Sequence, residues 1–184
     1  MTVAEQLTQA GYRDLFQRGE HNLDVWLDGA NRSALEEIVA GAGYDDLQRV
    51  LAAEVLHAHG QSPGDPQVAA EVYARALART GEGAELTANA WGFLYQGDDL
   101  GPLGAHLLET GAAAVPHLTA LLDDTDRLRY AGSQEATLGR QLGYRVKDAA
   151  AYFIGRLTDR EVPFHEETGE RDAEIARLAE ALRA

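Results

Sequence analysis

The stretch Val146-Lys147-Asp148-Ala149-Ala150-Ala151-Tyr152-Phe153-Ile154-Gly155-Arg156-Leu157 decides the fold class. Val146, Ala150, Phe153, Ile154 and Leu157 recur at i, i+4, i+7, i+8 and i+11, which winds onto one stripe of a helix of 3.6 residues per turn. The spacing predicts a helix over 144–158 with that stripe buried. Tyr152 falls off the stripe, one turn after Asp148.

Outward from this helix, the same periodicity continues in both directions. C-terminally, a connector over 159–169 punctuated by Pro163 and Gly169 leads to a terminal helix, 170–183, with Ile175, Leu178 and Leu182 inward. N-terminally, short apolar segments at 102–109 and 112–122 are separated by Gly111, and Asp123-Asp124-Thr125-Asp126 closes the second. The first hundred residues predict a helix over 2–18, weakened at Gly11, and one or two short helices over 23–41. There Ser33 and Glu36 have the spacing of a capping box. Segment 45–59 starts from Asp45 and places Leu47, Val50, Leu51, Val55 and Ala58 on one face. The loop Gln61-Ser62-Pro63-Gly64-Asp65-Pro66 follows, with Asp65 as cap and Pro66 as the first residue of a helix over 66–80. A helix over 84–96 carries Leu86, Ala90, Phe93 and Leu94 before a Gly97-Asp98-Asp99 turn. No segment alternates in the manner of a strand. The chain therefore reads as all-α, about eight or nine helices joined by short loops, as in helical solenoids and irregular bundles.

Two pieces resemble a HEAT repeat. Ala114-Val115-Pro116-His117-Leu118-Thr119-Ala120-Leu121-Leu122-Asp123-Asp124 is similar to the first helix of such a repeat, and the 146–157 stretch is similar to the second. The resemblance implies that two short amphipathic helices pack as a hairpin with the valines and the Ala/Leu stripes between them. It covers roughly 25 residues and departs from the pattern at 125–143, an insertion where a repeat has a short turn. The reading is a single all-α domain over 1–184, an α-α superhelix with a divergent helical part at 1–100 and a HEAT-like part at 101–184. HEAT proteins are mostly binding scaffolds, which implies the same role here.

Composition narrows the function. With 184 residues and 45% hydrophobic content, one domain with a continuous core is expected. No run of about 18 apolar residues and no basic-then-apolar leader is present, so the expected location is cytoplasmic, away from membranes. The absence of cysteine excludes thiolate metal sites, disulfides and Cys nucleophiles. Fifteen of sixteen cationic residues are Arg, with Lys147 the exception, a bias typical of GC-rich bacterial genomes. A net charge of −14 opposes nucleic-acid binding. It suits an acidic protein that neutralises a basic partner. The charge is uneven: residues 1–126 carry 6 cations and 20 acids, 127–160 carry 7 and 3, and 161–184 carry 3 and 7.

Motifs for chemistry are weak. His57 and His59 stand two apart, about 200° around a helix, and read as half-exposed imidazoles at a helix end rather than as a metal pair. His165-Glu166-Glu167 lacks the second His of a zinc-protease helix. The Asp pairs at 45–46, 98–99 and 123–124 sit at helix boundaries, where Asp caps. Gly81-Glu82-Gly83 lacks a preceding strand, and Ser133 reads as the cap of a short helix. No catalytic residue, metal or cofactor is assigned. The expected role is a non-catalytic module that contacts another protein. The alternative is an enzyme or small-molecule binder with a pocket between helices. The expected contact surface is the insertion and the adjoining helix face: Arg140, Tyr144, Arg145, Lys147, Asp148 and Tyr152. There positive charge steers an acidic partner and the tyrosines supply anchor area. Lys147, at the basic position of the repeat, is equally placed to pair with Asp123 or Asp124 across the hairpin.

Overall fold

The computed structural model describes residues 1–19, 21–81, 86, 93, 94 and 100–183, the side chains of Ser133 and Glu135 excepted. The expected helix over 84–96, with Trp91, Tyr95, the Gly97-Asp98-Asp99 turn and most of Gly81-Glu82-Gly83, lies outside the described residues apart from Leu86, Phe93 and Leu94. Among the described residues the fold is all-α: ten α-helices, with isolated antiparallel bridges in place of strands. No helix among them is long and apolar enough to cross a membrane. The chain divides into two compact units, Met1–Ala76 and Leu77–Ala184.

In the first unit, α1 (Val3–Tyr12) opens with a capping box. Thr2 Oγ1 accepts from the Glu5 N–H at 3.2 Å, and the Glu5 carboxylate accepts from the Thr2 N–H at 2.7 Å. Gly11, at φ 65, breaks the run as its place in the sequence suggests, and the chain continues as a wide turn over Arg13–Gln17. Two short helices follow, α2 (Asn22–Trp26) and α3 (Arg32–Ala40). Ser33 is not the cap of α3. It lies one residue inside the helix, Asn31 holds the cap position, and Glu36 instead accepts from Arg32 Nε at 2.8 Å.

Asp45 caps α4 (Asp46–Ala58) through a reciprocal pair with Gln48. This helix packs against α1, α2 and α3 and is buried from Arg49 to Leu56. Ala58, expected inward, is exposed because it lies in the last turn, beyond the packed stretch. The buried polar groups of α4 are compensated. Arg49 Nε donates to the Val39 carbonyl at 3.0 Å, and Glu54 accepts from the Tyr73 hydroxyl at 2.7 Å. Tyr73 belongs to α5 (Pro66–Ala78), whose start follows the expected Asp65-Pro66 signal, with Asp65 accepting from the Gln67 N–H at 2.8 Å.

The second unit is built on its most deeply buried helix, Val146–Leu157. It contains α6 (Pro102–Glu109), α7 (Val115–Thr119), α8 (Ser133–Leu142), α9 (Val146–Leu157) and α10 (Thr168–Arg183). α9 packs against α6, α7 and α10 and is buried from Val146 to Gly155 except at Lys147. Phe153, fully buried, meets the Phe93 ring edge to face at 6.4 Å. Gly104 on α6 is required by this packing. A Cβ there would stand 2.1 Å from the Phe93 carbonyl oxygen.

The insertion 125–143 is a structural element. Its first residues run extended and bond on two sides: Leu128 N–H donates to the Tyr144 carbonyl at 2.9 Å, and Arg129 N–H to the Thr80 carbonyl at 2.7 Å. Val146 N–H reaches back to the Asp126 carbonyl at 2.9 Å. Its remainder is α8. Ser133 is the first residue of α8 and not its cap, which is Gly132 at φ 88.

Because Phe153 has no exposed surface, Phe153→Ala should destabilise the protein by roughly 3–5 kcal/mol in denaturant unfolding. A loss below about 1 kcal/mol would place the stripe of α9 outside a packed core.

Candidate functional site

The six residues expected to form a contact surface sit close in the chain but differ in what they meet. Arg140 is exposed on α8. Tyr144, Arg145, Asp148 and Tyr152 are buried, and Lys147 is half-buried. Arg145, in the cap position of α9, grips Asp148 by its main chain and its side chain together. The Asp148 carboxylate accepts from the Arg145 N–H at 2.8 Å, Nε at 3.0 Å and Nη2 at 2.8 Å.

The expected pairing of Lys147 with Asp123 or Asp124 is replaced. Lys147 Nζ lies 2.8 Å from Asp172 on α10, which also pairs with Arg145 Nη2 at 2.9 Å, while Asp124 meets Lys147 through the main chain. These two cations, Lys147 foremost, hold the Asp172 carboxyl down to about 2. The Arg145 guanidinium shifts the other way, held charged chiefly by its bond to Asp148.

Tyr152, placed off the apolar stripe, is covered because the connector folds back over that side of α9. The Phe164 ring sits 5.2 Å from Tyr152 and 5.1 Å from Tyr144. The Tyr152 hydroxyl accepts from Arg156 Nη1 at 2.6 Å. Arg171, a residue the sequence did not single out, completes the assembly. It is 3% exposed, stacks over Tyr144 at 4.8 Å and donates through Nη2 to the Leu142 carbonyl at 2.9 Å. Its Nε lies 3.6 Å from Asp148, beyond hydrogen-bond reach. A cleft beside it, lined by Phe164 and Glu174, encloses about 10 Å³, room for a water and not for a substrate. The buried members of the expected surface thus act on the fold, and Arg140 is the member turned outward.

The first unit holds a second feature. Leu23 is 67% exposed and Leu27 is 56% exposed, large aliphatic side chains one helical turn apart on and just beyond α2. Leu27 and Asp28 have φ of 49 and 50, a left-handed conformation that costs non-glycine residues about 1–2 kcal/mol each. Their surroundings impose it. Trp26 stacks on His59 at 4.5 Å, His59 is hydrogen-bonded to Asn22 at 2.9 Å, and Asn31 Nδ2 donates to the Val25 carbonyl at 2.7 Å. His59 therefore works as a packing residue of α2. A groove of about 370 Å³ also opens between α1 and α2, lined by Met1, Ala10 and Val25 with Gln6, Asp14 and Asp24, and neither leucine lines it. Sequence reasoning missed this feature. The signal available was a pair of leucines four apart among acids, in a segment treated only as short helix.

The chain matches no protein-family model, no curated protein and no solved structure in the comparisons made.

Two outcomes follow from the ion cluster. Asp148→Asn leaves the buried Arg171 without its carboxylate and Arg145 with Asp172 alone, and should cost about 3–5 kcal/mol, whereas Arg140→Glu should change stability by less than about 0.5 kcal/mol. Both are read by urea unfolding. Asp172 has a folded pKa below its ordinary 3.8, so its contribution is complete above that value and is lost as pH falls toward 2. Asp172→Asn should flatten that part of the stability profile; an unchanged profile would place Asp172 outside the linkage.

Proposed function

We propose that the chain is a non-catalytic module that binds another protein, with α7 and α9 forming a HEAT-like hairpin as its scaffold. The helical pair has support in packing: Ala114, Leu118 and Leu122 are buried on one side and Val146, Ala150, Phe153 and Ile154 on the other, and α7 packs on α9. The observation that carries the binding role is the outward presentation of Leu23 and Leu27. Single exposed leucines are ordinary, but two a helical turn apart, one of them on a strained backbone, form a patch that association would bury. Burying an aliphatic side chain of this size is worth about 1.5–3 kcal/mol, enough for such a pair to anchor an interface.

The surface expected around Arg140 is retained as a secondary contact. Its other members are engaged within the fold, so its reach is set by Arg140 and its exposed neighbours Arg127 and Arg129 on the extended segment.

The test separates surface from stability. Leu27→Gly removes the anchor while relieving the left-handed strain, and should keep stability or raise it by about 1 kcal/mol. Combined with Leu23→Ser, it should abolish recovery of a stoichiometric partner from native cells, while Arg140→Glu weakens that recovery modestly. Equal recovery by the double variant would remove α2 as the binding surface.

A further inference from the structure

We draw no further inference here: the strongest candidate, the pair of exposed leucines Leu23 and Leu27 on and just beyond α2, belongs to the surface already proposed, and nothing in the structure shows what covers it.

Discussion

The second unit depends on the burial of one carboxylate between two guanidinium groups. Asp148 is inside the fold, where an unpaired charge would be prohibitively unfavourable, so Arg145 and Arg171 must both come to it. Arg145 is brought by the start of α9, since the same carboxylate binds its N–H. Arg171 comes from α10, more than twenty residues on, and carries other elements with it: it donates to the Leu142 carbonyl at the end of α8 and to the His165 carbonyl of the connector. The requirement to neutralise Asp148 therefore positions α8, α9, the connector and α10 together. An apolar core of similar volume would hold the elements as strongly. It would not specify which main-chain carbonyls meet.

Local periodicity explains which parts of this were legible. The stripe of α9 and the caps at Asp45 and Asp65 depend on residues two to four apart, and these stand where the spacing places them, with Leu157 in the last turn half-buried. The fate of Tyr152 depends on Phe164 folding back from a connector with no periodicity to read. Ser33 and Asn31, two positions apart, are both of cap-forming type; Asn31 holds the position without a side-chain capping bond and turns its amide to the Val25 carbonyl, a contact outside the helix that its spacing does not announce. Leu27 and Asp28 precede Gly29, and a sequence reader assigns positive φ to the glycine alone; all three adopt it.

Charge counted along the chain misleads for a related reason. The positive excess over 127–160 includes Arg145 and Lys147, whose partner Asp172 lies beyond it and whose charge is spent on folding. Two of the segment's seven cations are thereby withdrawn from any outward role. Acids in the first unit are used differently. Asp24 and Asp28 face water, and Glu54 alone among the acids of that unit is buried among the described residues. Linear charge thus overstates the basic surface of the second unit, because it counts cations that are paired within the fold.

The strained turn at Leu27-Asp28 shows how stability and recognition separate within a small helical unit. Two left-handed non-glycine residues oppose folding, and the Trp26–His59 stack with the Asn22 and Asn31 hydrogen bonds offsets them. A glycine at position 27 would satisfy the backbone more cheaply and leave those contacts in place. Nothing in the packing requires a leucine there, since more than half of its side chain is in water. Leu27 is thus unfavourable for the backbone, unused by the core and turned outward one helical turn from Leu23, so the cost of this turn falls on folding while its exposed side chains are left for the surface role proposed above.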